Sequence, residues 1–199
     1  ITFGSFNNAA KINDNVVAAW ADILKELPNA RLILKYINMD AEGNRNRIYG
    51  QFGTHGVEGS RLMLEGHSPH SDFLARYNDV DIVLDTFPYS GGLTTCEAIW
   101  MGVPVITKPS ETFASRHSLS HLTNVGVPEL VADELQDYVA KAVELANDVF
   151  RLTGLRSGLR EQMVKSALCD GKKFATDFTS AMQHVWKQWC SGGKPNLVL

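Results

Sequence analysis

An α/β fold is predicted by this sequence: a Rossmann-like doubly wound parallel sheet with helices on both faces and a helical C-terminal part. Three observations predict it. Short β-rich runs alternate with helical patterns over residues 1–134. The connections between them are short, as βαβ units in one parallel sheet require. From residue 135 to 199 the pattern is helical only, and it reads as an extension of the same domain.

Each element has its own signal. Ile1 to Phe6 reads as a strand. Asn13 can cap a helix whose apolar positions Val16, Trp20, Ile23, Leu24 and Leu27 recur at helical spacing until Pro28 stops it. "RLILKY" (31–36) is a second β-rich run, "NRNRIYGQFGTHG" (44–56) a polar helix and "RLMLEG" (61–66) a third strand. "HSDFLARYNDV" (70–80) places Phe73, Leu74 and Tyr77 on one helical side, and "DIVLD" (81–85) is the clearest strand. Helix over 94–100, strand over 103–107, helix over 114–122 and a last short strand over 129–132 complete the alternation. Beyond them, Phe174, Phe178, Met182, Val185 and Trp189 recur at spacings of three and four, and "SGGKPN" (191–196) closes the run with turn residues.

Composition narrows the function. The chain has 199 residues, is 44% hydrophobic and 21% charged, and carries a formal charge of -3. No polybasic field exists for nucleic acid or an anionic membrane surface. Cys96, Cys169 and Cys190 form neither a CxxC nor a zinc spacing, which favours a reducing compartment and a cytoplasmic protein. No apolar run reaches membrane-span length and no signal peptide opens the sequence. The first residue is Ile, already inside a strand-like run, so the chain is expected to be a piece of a longer polypeptide.

Ligands of open parallel sheets bind at the carboxyl ends of the strands. "LDTFPYSGGLTTCEAIW" (84–100) has a strand end, a loop with Gly91 and Gly92, and a helix start at Thr94. Glycines permit close backbone approach, and a helix start presents free N–H groups and a positive dipole end, which together outline a phosphate site. The competing reading is an ordinary strand-to-helix turn. "FGSFNNAAKIND" (3–14) puts Asn7, Asn8 and Lys11 after the first strand on the same rim, where one lysine can neutralise a diphosphate; a solvated surface lysine is the alternative. Glu97, one turn into the Thr94 helix, suits ribose hydroxyls or simply the helix dipole.

These segments, with "ETFASRHSLSHL" (111–122) and "VWKQWCSGGKPN" (185–196), resemble the C-terminal half of the catalytic region of O-GlcNAc transferase and its bacterial and plant SPINDLY-like relatives. The likeness runs from Phe3 to about Pro195. It implies a GT-B architecture, two Rossmann-like halves facing across a cleft, preceded by tetratricopeptide repeats. The implied reaction is metal-independent transfer of a sugar from a nucleotide-sugar donor to protein Ser or Thr hydroxyls, with no cofactor. UDP-GlcNAc is the implied donor; GDP-fucose, used by some SPINDLY-like relatives, and a non-catalytic nucleotide-binding module are the alternatives. By the same resemblance Asn8 and Lys11 contact the diphosphate, and Lys11 stabilises the leaving group. Gly92, Leu93, Thr94 and Thr95 cradle the phosphates, Glu97 takes the ribose, and Ser68, His70 and Arg76 lie at the base. The missing N-terminal half and the acceptor protein are the implied partners.

Other polar residues read as structural. Asp79 and Asp81 in "NDVD" are turn and cap residues rather than a metal-binding pair. His117 and His121 have ligand spacing but no third ligand. Ser115 and Arg116 open a helix near the cleft and are candidates for sugar or acceptor contact. Trp20, Trp100, Met101, Val103 and Cys96 read as core, and the stripe with Trp186 and Trp189 as a surface packed on this domain or on the missing half.

Overall fold

The computed structural model describes residues 1–192. Five strands form one parallel sheet: β1 (Thr2–Ser5), β2 (Arg31–Lys35), β3 (Leu62–Glu65), β4 (Ile82–Leu84) and β5 (Val105–Ile106). Eight α-helices accompany it among the described residues: α1 (Asp14–Glu26), α2 (Glu42–Thr54), α3 (His70–Ala75), α4 (Leu93–Trp100), α5 (His117–Val125), α6 (Leu135–Asn147), α7 (Val149–Lys165) and α8 (Gly171–Cys190). The sheet order is β3-β2-β1-β4-β5. Strand order therefore reverses between β1 and β4, which places the topological switch point at their carboxyl ends.

Helix α1 shows how sequence becomes packing. Asn13 accepts a hydrogen bond from the Val16 N–H (3.1 Å), an N-cap of the kind worth about 1 kcal/mol. Val16, Val17, Trp20, Ile23 and Leu24 are all buried on the inner face of the helix. Trp20 is fully buried, and its indole N–H donates to the Tyr138 hydroxyl of α6 (2.9 Å), which itself donates to the Asp85 carbonyl at the end of β4 (2.8 Å). A polar chain thus runs from the α1–α6 contact to the switch point, with each buried donor satisfied. Helix α1 also packs on α2, whereas α4 and α5 pack on α7.

Several elements differ from the sequence reading. Residues 129–132 are not a strand: Pro128–Leu130 forms a 3-10 turn, and a single parallel bridge joins Thr107 to Val131. Proline at the first position fixes a helical φ there and donates no hydrogen bond. The helix expected from Ala114 begins at His117, because Phe113–Ser115 forms a separate 3-10 turn in which the Ser115 hydroxyl bonds the Thr112 carbonyl (2.7 Å). The polar helix starts two residues earlier than expected, at Glu42.

Beyond residue 135, α6 and α7 bury Tyr138, Ala142, Leu145, Leu152 and Leu159 in the same core as the sheet. Helix α8 buries no residue, and Phe174, Phe178, Trp186 and Trp189 of its apolar stripe are exposed. Trp100 is only half-buried, with the Arg160 guanidinium 4.4 Å above its ring, and Cys96 and Met101 are likewise intermediate. The expected turn over 191–196 lies outside the described residues after Gly192. Among the described residues no helix is long and apolar enough to cross a membrane.

Candidate functional site

A cleft of about 750 Å³ lies over the carboxyl ends of β1 to β4. Its walls are Asn7, Asn8 and Lys11 after β1, Tyr36 and Ile37 after β2, His67, Ser68, His70 and Phe73 after β3, and Tyr89, Gly92, Leu93, Thr94 and Glu97 after β4.

Lys11 closes a 3-10 turn, Ala9–Lys11, that is capped by the Asn8 side chain accepting from the Ala10 N–H (2.9 Å). This turn sends the lysine across the switch point. Its ammonium donates to the Ser90 carbonyl (2.8 Å) and to Asn7 Oδ1 (3.3 Å), and lies 4.1 Å from the centre of the Tyr89 ring. Burial holds the Lys11 pKa below the ordinary lysine value, and the negative charge of Asp85 partly offsets this.

The loop between β4 and α4 is organised by Asp85, which is buried. Its carboxylate accepts from the N–H groups of Thr86 (2.9 Å) and Gly91 (2.6 Å) and from the Thr107 hydroxyl (2.7 Å). Burial raises the Asp85 pKa, while hydrogen bonds from Ser118, Thr107, Gly91 and Thr86 pull it back. The two loop glycines then have different reasons to be glycine. A Cβ on Gly91 would stand 2.4 Å from Thr95 Oγ1 and 3.0 Å from Asp85 Oδ1, inside the protein. On Gly92 its nearest neighbour would be His117 Nδ1 at 3.9 Å, so that glycine faces open space. Gly92 is the N-cap of α4 and no side chain caps this helix; the Thr95 N–H turns back to the Gly92 carbonyl (3.1 Å), which leaves the Leu93 and Thr94 N–H groups at the helix start without the usual side-chain cap.

The wall from β3 is built differently. His70 starts α3 and its Nε2 lies 2.9 Å from Glu97 Oε1, linking the two sides of the cleft mouth. Phe73 packs edge-on against Phe6 (ring centres 5.2 Å) and against Tyr77 (6.0 Å). The Tyr77 hydroxyl donates to the Thr94 carbonyl (3.1 Å), fixing the α4 start from beneath. The Ser68 hydroxyl is buried and without a hydrogen-bond partner.

The fold gathers Asn8, Lys11, Ser68, His70, Gly92, Leu93, Thr94 and Glu97 around one cleft. Two of the site residues implied by the resemblance stand elsewhere. Arg76 is bound to both oxygens of Glu65 (2.6 to 3.1 Å) and to Asp79 (2.7 Å), and does not line the cleft. Thr95 is buried beneath the loop, its hydroxyl 2.8 Å from that of Ser118. Asn8 lines the cleft with its side-chain oxygen committed to the turn; Asn7, one residue earlier, reaches toward both Lys11 and Thr94 Oγ1 (3.4 Å). Sequence reasoning also missed Asp85 and Tyr89; the carboxylate ending the β-run in "DIVLD" was the available signal for the first. Ser115 and Arg116 do not line the cleft. The His117 ring stacks edge-on against Phe113 (4.7 Å), and His121 Nδ1 is buried without a partner, its pKa held down by burial and by His117. No cluster of three potential metal ligands occurs among the described residues.

A parallel sheet of this order, with its cleft at the β1/β4 switch point, is a Rossmann-like α/β unit, and it matches GT-B glycosyltransferase structures. Sucrose-phosphate synthase from Thermosynechococcus elongatus shares it at TM-score 0.62 and 16% identity, over 90% of this chain and 45% of that one, a likeness of fold alone. The chain belongs to glycosyl transferase family 41, whose model matches residues 1–178. A mutant O-GlcNAc transferase from Thermobaculum terrenum superimposes at TM-score 0.90 with 36% identity, covering 96% of this chain and 37% of that one. The probable UDP-N-acetylglucosamine–peptide N-acetylglucosaminyltransferase SPINDLY of Hordeum vulgare is 42% identical over 99% of this chain. The UDP-N-acetylglucosamine–peptide N-acetylglucosaminyltransferase of Caenorhabditis elegans is 31% identical over 96% of it. The chain spans 21% of the barley protein and 16% of the nematode one, about a fifth of their length.

Proposed function

We propose that this chain is the nucleotide-sugar-binding part of a protein O-glycosyltransferase that moves GlcNAc from UDP-GlcNAc to Ser or Thr hydroxyls without using a metal ion. The observation that carries the reading is Lys11: its ammonium is held across the switch point by Ser90 and Asn7, in the cleft that the uncapped start of α4 also lines. The names of the barley and nematode relatives support the donor and the acceptor class.

Cleavage of the glycosidic bond leaves its electron pair on the departing diphosphate. A fixed cation and preorganised N–H donors facing that oxygen stabilise the transition state more than the ground state. Lys11 and the N–H groups opening α4 take those roles, with Asn8, Gly92, Leu93 and Thr94 around the phosphates. Glu97 accepts from ribose hydroxyls, and the Ser68 backbone, His70 and Phe73 wall the base. In this reading the acceptor side, the second α/β half and the tetratricopeptide repeats belong to the remainder of the protein.

Calorimetric titration of the chain with UDP, GDP and ADP tests the proposal. UDP is expected to bind most tightly. A preference for GDP would transfer the reading to a GDP-sugar donor such as GDP-fucose, and no binding of any nucleotide at millimolar concentration would sink it.

A further inference from the structure

The roles assigned above leave the buried Asp85 carboxylate unused. The hydrogen bonds on the Asp85 carboxylate come from donors: the Thr86 and Gly91 N–H groups on Oδ1 and the Thr107 hydroxyl on Oδ2, with the Ser118 hydroxyl close by. A group ringed by donors is satisfied as the acceptor-only carboxylate. An asparagine would complete the same turn without the cost of burying a charge, since its oxygen accepts both N–H groups and its amide can donate to the Thr107 hydroxyl. The charge therefore points to a second task.

The Ser90–Gly91 peptide group shows what that task is. Its N–H donates to Asp85 Oδ1 (2.6 Å), and its C=O accepts from the Lys11 ammonium (2.8 Å). One peptide unit is thus clamped between an anion and a cation, each polarising the hydrogen bond of the other. We propose that Asp85 is a positioning residue for Lys11: through the Ser90–Gly91 peptide it sets where the ammonium stands in the cleft, and it supplies a buried counter-charge on the far side of that peptide. Burial at the cleft edge opposes the charged form of Lys11, and Asp85 acts against it. The groups directly against the ammonium are the Asn7 amide oxygen and the Tyr89 ring; His67, His70 and Glu97 line the rest of the cleft, and the Tyr138 hydroxyl meets Asp85 only at its backbone carbonyl. Lys108 is directed at the Phe87 ring (5.6 Å).

The test is the titration of lysine side chains by NMR in the 199-residue chain, labelled at lysine, with Lys11→Arg to assign the signal. Asp85→Asn is expected to lower the Lys11 midpoint by about one pH unit while the other lysines keep theirs. An unmoved Lys11 midpoint in a folded Asp85→Asn chain overturns the proposal. Should that variant not fold, wild type decides: on acidification the Gly91 amide resonance should move as Asp85 takes up its proton, and the Lys11 side-chain signal should move with the same midpoint. A Lys11 signal that stays fixed through that step overturns it equally. The proposal rests on the reading of Lys11 as the diphosphate cation, yet the lysine titration needs no nucleotide. Failure of wild type to bind UDP overturns that reading, and an unmoved lysine overturns this one.

Discussion

The two walls of the cleft are built on opposite plans. At the switch point, Asp85, the Ser90–Gly91 peptide and Lys11 are mutually bonded, with Asp85 buried and tied through Tyr138 to Trp20 in the core. On the β3 side, the His70 side chain is 70% exposed and meets Glu97 through one contact, and its ring lies nearly parallel to that of Phe73 (centres 6.4 Å). Developing charge needs groups already in place, since reorganisation at the moment of reaction forfeits the stabilisation. A base is held by stacking and a few hydrogen bonds, which a looser wall can supply.

This contrast ranks the effects of substitution. The largest belongs to Lys11→Ala in the full-length protein: if the ammonium meets charge that builds in the transition state, as proposed, kcat should fall on the order of 100-fold or more, with a smaller change in donor KM. Lys11→Arg should rescue in part, since a planar fork does not reproduce a compact point charge. Steady-state rates with donor varied check both, and wild-type kinetics in the alanine variant would remove Lys11 from the chemistry.

Next in size is the difference between the glycines. Gly91→Ala drives a Cβ against Thr95 and the buried Asp85, and should lower stability by about 1–3 kcal/mol. Gly92→Ala meets open space and should leave the melting temperature nearly unchanged while weakening nucleotide binding. Equal melting temperatures for the two variants would show that the loop is not the rigid wall.

A third test uses pH. Burial raises the folded-state pKa of Asp85 above its unfolded value, so the folded chain holds a proton that the unfolded chain has released. Its contribution to stability is fully present below the unfolded pKa and is lost as pH rises through the raised one. Asp85→Asn should remove that component, so that stability in the variant falls less with rising pH across this interval; chemical denaturation at a series of pH values measures it.

The smallest effects belong to the other wall. His70→Ala should change UDP affinity only a few-fold, in keeping with the modest net worth of an exposed contact. Arg76→Met should leave affinity unchanged, since its guanidinium is held by Glu65 and Asp79 outside the cleft.

Much of the arrangement was legible in the sequence. The alternation of β-runs and helices gave the parallel sheet, and the positions of "FNNAAK" and "SGGLTT" after two strands brought Lys11 and Gly92 to one rim. What stayed hidden depends on side-chain direction. Whether Asn7 or Asn8 turns inward is decided by the 3-10 turn that uses Asn8 as its cap, and a pair of identical residues carries no sign of it. Arg76 seemed one turn beyond His70, but α3 tightens into a 3-10 turn there and Glu65 lies within reach. Asp85 looked like a strand terminus because its partners, Gly91 and Thr107, come from later in the chain.

The central claim is that the switch-point wall recognises the diphosphate, and the β3 wall together with Glu97 facing it the nucleoside. Calorimetric titration of the chain and of its Lys11→Ala variant with UDP and with uridine tests it most directly. The account predicts that wild type binds UDP at least about tenfold more tightly than uridine, a gap of 1.4 kcal/mol or more, and that Lys11→Ala narrows this gap while leaving uridine affinity unchanged. Equal affinities for UDP and uridine in wild type, or an undiminished gap in Lys11→Ala, would contradict it.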